Sequence, residues 1–302
     1  LLYEHTGHDF SLYKVSTLHR RIERRIAIHE LGSIGDYAAF LRDNSHEVDL
    51  LFQELLIGVT GFFRDPSVWE YMGNTVLPQL LENDRANGKL RAWVVGCSTG
   101  EEAYSLAMLF HEALARQGNG HRIGIQIFAS DLSPEAIATA RRGEYPLSIS
   151  EEVSSQRLAR YFTAHDTHYQ IKPAIRDMVM FAQHDVVLDP PFTRLDLIVC
   201  RNLLIYFDAV LQRRLLPLFH YSLNPGGILL LGSSETVGRC SHLFTLLEPR
   251  MRAYRRLDNA TTDSPDLLLK SFPPLSVLNK EPSVASSSLS SPVSDNLQTA
   301  AD

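Results

Sequence analysis

Residues 1 to 82 carry apolar positions at helical spacing. Leu18, Ile22 and Ile26 recur every fourth residue, the stripe of a helix that buries one face. Shorter helices are predicted over Asp36–Leu41 and Val48–Leu56. Asp65-Pro66 is a helix start, an acid at the N-cap followed by proline at the first helical position. From about residue 88 the pattern changes. Short apolar runs at Leu90–Val95, Ile123–Ala129, Met178–Ala182, Leu195–Cys200 and Ile228–Leu231 read as strands. Amphipathic stretches at Glu101–Ala115, Pro134–Arg142 and Ala209–Tyr221 read as helices, the second opened by the cap Ser133-Pro134. Strands alternating with helices of this length predict βαβ units and a mostly parallel sheet. Asn224-Pro-Gly-Gly227 is a tight turn, and residues 251–257 are expected to close the sheet as an antiparallel edge strand.

Residues 144–177 break the alternation with a short helix near Val153–Phe162 and a hairpin-like Tyr169–Lys172. They read as an insertion in the crossover between the second and third strands. From 259 the chain turns Ser- and Pro-rich, as in Ser283–Pro292, with too little apolar surface to order itself. The expected domains are therefore 1–82, helical; 83–258, α/β with 144–177 inserted; and 259–302, a disordered tail or linker.

A chain of 302 residues with 44% hydrophobic positions has room for one large core and a satellite. A net charge of −6 argues against nucleic acid as the partner, since backbone contacts need clustered cations. The three cysteines form no CxxC pair, which points to a reducing, cytoplasmic compartment. No apolar run approaches 18 residues, so membrane insertion is not expected. The twelve histidines lack metal-ligand spacing, so no metal is expected. Leu1 in place of methionine points to a longer parent chain.

The candidate chemistry gathers where strands end. Gly96-Cys-Ser-Thr-Gly-Glu-Glu102 follows the first strand and opens a helix, the strand–glycine turn–helix arrangement of nucleotide-type cofactor sites. Gly96 lets the backbone approach a ligand closely. Glu101 and Glu102 would repel a phosphate chain but suit a cationic, hydroxyl-bearing ligand such as S-adenosylmethionine. The same acids also suit a plain helix start, worth about 0.3–1 kcal/mol each. Asp131, ending the second strand, either takes the hydroxyls of a ribose or helps cap the helix at Ser133. Asn202, after the fourth strand, offers a donor and an acceptor at the crevice. Tyr206 and Phe207 line a methyl-donor pocket or pack. Thr60-Gly-Phe-Phe-Arg64 reads as a lid loop with Arg64 facing a carboxylate, or as a helix corner with Phe62 and Phe63 in the core. Asp189-Pro-Pro-Phe192 resembles an amino-methyltransferase signature, but it precedes its strand and reads as a rigid turn. Arg20, Arg21, Arg24 and Arg25 form a basic row on the first long helix, a docking surface for an acidic helix or a solvated face.

With these words assembled the chain resembles the CheR family of chemotaxis receptor methyltransferases. The matching words are Thr60–Pro66, Gly96–Ser105, Phe128–Asp131, Cys200–Phe207 and Asn224–Gly227, in the family's order. The branch it looks most like is that of methylesterase/methyltransferase fusions with attached signalling domains. The resemblance implies a Rossmann-like class I SAM-dependent methyltransferase sheet, a small all-helical N-terminal domain and an inserted β-subdomain. It implies S-adenosylmethionine as donor, S-adenosylhomocysteine as product, and O-methylation of glutamates on the cytoplasmic helical bundle of chemoreceptors. The implied cofactor contacts, with Gly96, are Thr60, Arg64, Glu101, Asp131, Asn202, Leu203, Phe219 and His220. Arg64 and Tyr206 are the expected catalytic residues, and Arg20, Arg21, Arg24 and Arg25 the expected docking residues. Gly58 stands where the family often has asparagine. A module that senses the cofactor and signals without methyl transfer is the other reading.

Overall fold

The computed structural model describes residues 1–56, 58–82, 88–117 and 123–258. The expected tail over 259–302 lies outside them. Helices α1 (Leu2–Thr6), α2 (Val15–Ile28), α3 (Ile34–Asp43) and α4 (Ser45–Leu55) come first. The predicted stripe of Leu18, Ile22 and Ile26 packs on a small core of Phe10, Tyr37, Leu41, Val48, Leu51 and Leu55. Helices α5 (Pro66–Tyr71) and α6 (Leu77–Glu82), joined by a π-helical stretch at Met72–Val76, do not share that core. Val68, Trp69, Met72, Val76, Leu77, Leu80 and Leu81 pack with the sheet instead. By core membership the helical unit thus ends near Leu55, not at residue 82. Amphipathicity shows that a helix buries a face; it does not say against what.

The main sheet has seven strands: β1 (Lys89–Val95), β2 (Gly124–Asp131), β6 (Val179–Gln183), β7 (Leu195–Cys200), β8 (Leu223–Leu231), β9 (Phe244–Glu248) and β10 (Ala253–Arg256). Their order is β6-β2-β1-β7-β8-β10-β9. The first five run parallel; β10 is antiparallel to both β8 and β9. The last strand is therefore flanked on both sides and β9 forms the edge, which corrects the expected edge position of 251–257. β8 starts at Leu223, earlier than predicted, with the Asn224–Gly227 turn inside it where its pairing to β7 shifts register.

Alternation along β1 builds the two faces. Leu90, Ala92 and Val94 point into a core shared with α7 (Glu101–Gln117) and α8 (Pro134–Arg142), while Trp93 and Val95 join α11 (Ala209–Ser222) on the other face. Between α8 and β6 the insertion forms a small antiparallel sheet, β3-β5-β4, of Glu144–Pro146, His168–Ile171 and Phe162–Ala164. Helices α9 (Ser155–Tyr161) and α10 (Pro173–Arg176) complete it. The strand order reverses between β1 and β7, the place where doubly wound sheets open a crevice at their carboxyl ends. All three cysteines are buried and free, and among the described residues no helix is long and apolar enough to cross a membrane.

Candidate methyl-donor site

A cavity of about 400 Å³ lies at the carboxyl ends of β1, β2, β6 and β7. That is within the size range of small-molecule sites. The turn after β1 is its floor. Gly96 (φ 70°) and Ser98 (φ 48°) both take left-handed backbone, and the Gly96 and Cys97 N–H groups donate to the Ser130 carbonyl at 2.8 and 2.9 Å. A Cβ at Gly96 would meet Leu203 at 3.2 Å. The glycine is needed because the turn after β7 presses against the turn after β1.

Asp131 braces the start of α8 and also faces the cavity. Its carboxylate accepts the Ser98 N–H at 2.8 Å and the Ser133 N–H at 2.9 Å, which ties the β1 turn to the start of α8. Ser133 in turn caps α8 through Ala136 N–H. Burial pushes the Asp131 carboxyl up, and these N–H donors oppose it. Two N–H bonds leave the remaining lone pairs of the carboxylate for ligand hydroxyls, and the residue lines the cavity.

The two acids opening α7 part company. The Glu101 carboxylate accepts the Thr99 hydroxyl at 2.7–2.8 Å, so Thr99 rather than Glu101 lines the cavity. Burial pushes the Glu101 carboxyl up, with the Thr99 bond opposing. Glu102 does line it, but is bound to Arg201 at 2.8 Å, and Arg201 also pairs with Asp65. Asp65 was expected to cap α5. Its side chain makes no cap; it is spent on Arg201, whose own side chain is fully buried. A buried guanidinium between two carboxylates is held only by such pairing. Arg201, Glu102 and Asp65 lock the turn after β7, the start of α7 and the loop before α5 into one piece.

Asn202 (φ 59°) and Leu203 line the cavity, as do Tyr206 and Phe207. Buried Glu235 holds this turn, accepting N–H groups from Asn202 (3.0 Å), Ile205 (3.2 Å) and Gly232 (2.7 Å). Sequence reasoning missed Glu235; an acid three residues past a strand-ending glycine is its only local mark. Thr60, Gly61 and Arg64 line the opposite wall, with Arg64 donating to the Val59 carbonyl at 2.9 Å. Both aromatics of that loop are in the core, and Glu152 of the insertion holds it by accepting the Phe62 N–H at 2.6 Å. A Cβ at Gly58 would lie 3.2 Å from Ser98 Oγ, so the missing asparagine side chain goes with a close approach of these two loops.

Phe219 and His220 do not line the cavity, contrary to expectation. Phe219 is fully buried against Trp93, their ring centres 5.9 Å apart. His220 donates to the Leu257 carbonyl at 2.8 Å and meets the Phe244 ring edge-on. The last turn of α11 packs on β9 and the chain after β10, away from the crevice. The Asp189-Pro-Pro-Phe192 word is a packing turn: Phe192 stacks on Phe128 at 4.6 Å, and the Asp189 carboxylate accepts the Asp185 N–H. The basic row divides. Arg25 pairs with buried Glu47 and Arg21 with Glu54, whereas Arg20 and Arg24 remain exposed, Arg24 also reaching Glu54 at 3.3 Å. Arg21 and Arg25 are thus drawn into the helical unit, and Arg24 reaches a carboxylate there while staying exposed.

A cavity floored by glycine backbone, with a half-buried carboxylate at the β2 end and no lysine in its wall, fits a sugar-bearing cation better than a phosphate chain. The CheR methyltransferase SAM-binding domain matches residues 58–252, and the CheR methyltransferase all-alpha domain matches residues 1–56. A chemotaxis protein methyltransferase of Listeria monocytogenes is 37% identical over 231 residues, covering 76% of this chain and 85% of that protein. Chemotaxis protein methyltransferase 1 of Pseudomonas aeruginosa is 34% identical over 242 residues, covering 78% and 86%. An uncharacterized 104.1 kDa protein of Rhodobacter capsulatus is 40% identical over 249 residues, which cover 82% of this chain but 26% of that protein. This chain therefore spans about a quarter of that relative. The glycine turn, the acid ending β2 and the asparagine after β7 line one cavity, both domains of the family match in order, and the chain belongs to the CheR methyltransferase family, with S-adenosylmethionine as its cofactor.

Proposed function

We propose that this chain methylates glutamate side chains on the cytoplasmic helices of chemoreceptors, yielding glutamyl methyl esters. One arrangement carries the reading: the cavity that holds Asp131 is also lined by Arg64 and Tyr206, a cation and a phenol suited to a carboxylate. When bound, S-adenosylmethionine supplies an electrophilic methyl group. Asp131 accepts its sugar hydroxyls, Gly96 admits it close to the backbone, and Thr60 and Asn202 offer polar walls. Arg64 attracts the incoming carboxylate, and Tyr206 donates a hydrogen bond to one of its oxygens. A glutamate side chain is already ionised at neutral pH, so no residue need remove a proton from it. The contribution of the protein is orientation, which supplies on the order of 7–11 kcal/mol in well-placed reactions.

The exposed Arg20 and Arg24 would draw the acidic face of a receptor helix. Each exposed pair is worth only about 0.2–1 kcal/mol, so their main effect is on encounter. A receptor's cytoplasmic helices imply a cytoplasmic setting, and likeness to a segment of a much longer protein supports attachment to further signalling domains. The test is radiolabelled methyl transfer to a panel of receptor cytoplasmic fragments. Label released as methanol by base is expected; base-stable label, or none on any fragment, overturns the proposal.

A further inference from the structure

The segment from His8 to Lys14 joins the helical unit to the sheet at two points. At one, His8 Nδ1 meets Asp185 Oδ2 at 2.5 Å, just beyond the end of β6. At the other, beyond β7, the Asp208 N–H donates to the Leu12 carbonyl and the Lys14 N–H to the Tyr206 carbonyl, both at 2.9 Å. In the sheet, β2 and β1 lie between β6 and β7. A strap anchored at both outer strands must cross the turns that carry Asp131 and Gly96. His8 and Tyr13 indeed line the same cavity as those residues.

The strap presents a fixed hydroxyl. His8 Nε2 and Tyr13 Oη are 2.9 Å apart. Asp185 also accepts the N–H groups of Val187 (2.8 Å) and Leu188 (3.3 Å). Burial pushes its carboxyl up, but the His8 bond and these donors outweigh that and hold it below the ordinary range. Asp185 is thus an acceptor, and His8 Nδ1 carries the hydrogen between them. With Nδ1 as the donor, the other ring nitrogen is placed to accept the Tyr13 O–H, leaving the lone pairs of the Tyr13 oxygen as acceptors. The ring cannot swing away: it sits edge-on to Phe207 at 5.0 Å and tilted against Phe10 at 4.9 Å.

We propose that Tyr13 is a binding residue for the nucleoside half of the methyl donor, with His8 and Asp185 as the residues that position its hydroxyl. The helical unit then builds one wall of the cofactor site as well as serving the receptor. The inference rests on the cavity taking S-adenosylmethionine. An acceptor oxygen suits the sugar hydroxyls and the base amino group, and Tyr13 and Asp131 line the same cavity.

The test is calorimetry on the 302-residue chain with S-adenosylhomocysteine and with 5′-methylthioadenosine, which lacks the amino-acid end. Tyr13→Phe is expected to weaken both ligands by a similar factor, about 3- to 10-fold, and to lower the unliganded melting temperature slightly, because a nitrogen of buried His8 loses its hydroxyl partner. Adding His8→Gln to Tyr13→Phe should weaken binding no further, since the two act through one hydroxyl. Should His8→Gln fail to fold, Tyr13→Phe alone decides. Unchanged affinities in Tyr13→Phe measured well below its melting range, or a loss confined to S-adenosylhomocysteine, would overturn the assignment. Failure of the unaltered chain to bind either ligand would instead remove the cofactor reading beneath it.

Discussion

Asp131 does two jobs with one carboxylate, bracing two turns and facing the cavity. Asp131→Ala should therefore lower affinity for S-adenosylhomocysteine by at least about 100-fold, because a charged acceptor and the turn geometry go together. Titration calorimetry decides it; affinity within about threefold of the unaltered chain would refute the ribose assignment. Such a residue is legible in sequence because its place follows from one strand, one turn and one helix start. The partners of Arg201 are not legible in that way. Glu102 and Asp65 lie 99 and 136 residues away along the chain, and only the packed sheet decides that they meet. Glu235 escaped for the same reason. A carboxylate that receives three backbone N–H groups from a distant turn has no spacing rule to announce it.

Helix α2 shows how far an element's pattern can be pushed. At about 100° per residue, Arg20 and Arg24 lie about 160° from the middle of the Leu18–Ile22–Ile26 stripe, and Arg25 about 60°. The helical wheel alone thus separates an exposed pair from a flanking one, a distinction that counting i, i+4 spacings conceals. Arg25 and Glu47 meet at 2.6 Å, with Tyr37 and His29 on the same carboxylate at 2.7 and 2.9 Å. Arg25→Glu should cost on the order of 3 kcal/mol and melt the helical unit, since it leaves buried Glu47 without its cation. Arg20→Glu with Arg24→Glu should leave melting within about 0.5 kcal/mol while slowing methyl transfer to receptor fragments. Circular dichroism and the transfer assay separate the two cases, and equal loss of stability would refute the distinction. Glu47 also sets a pH dependence. Burial raises its pKa, but Arg25, Tyr37 and His29 outweigh that and bring it down to about 2 from an ordinary 4.5. The folded value lies below the unfolded one, so the stabilisation is present above pH 4.5 and is lost as pH falls toward 2. Glu47→Gln should flatten that acid limb of the melting curve.

At the scale of the molecule, the order of strands and helices was readable, because alternating period-2 and period-3.6 segments leave few topologies. Leu195–Cys200 and Pro134–Arg142 agree with the sequence reading at both ends. Where the helical unit stops was not readable, since α5 and α6 have the same amphipathic character whichever core receives them. Nor was the reach of the insertion toward the cavity. Glu152 of the insertion fixes the loop that carries Thr60 and Arg64, so Glu152→Ala should raise the dissociation constant for S-adenosylhomocysteine several-fold, on the scale of one hydrogen bond to a charged group. The sheet core should be spared, as read by near-ultraviolet circular dichroism. Unchanged affinity would show that the loop stands without this support.

Gly100 (φ 97°) leaves no gap: an added Cβ would stand 2.9 Å from Ala140 and 3.1 Å from the Tyr145 hydroxyl, which itself donates to the Thr99 carbonyl at 2.8 Å. The root of the inserted sheet is in this way welded to the donor turn. Its far hairpin at His165–His168 has no such tie among the described residues. Substitutions at that tip should leave the donor turn undisturbed, whereas one extra methyl group at position 100 would disturb inserted sheet and donor turn together.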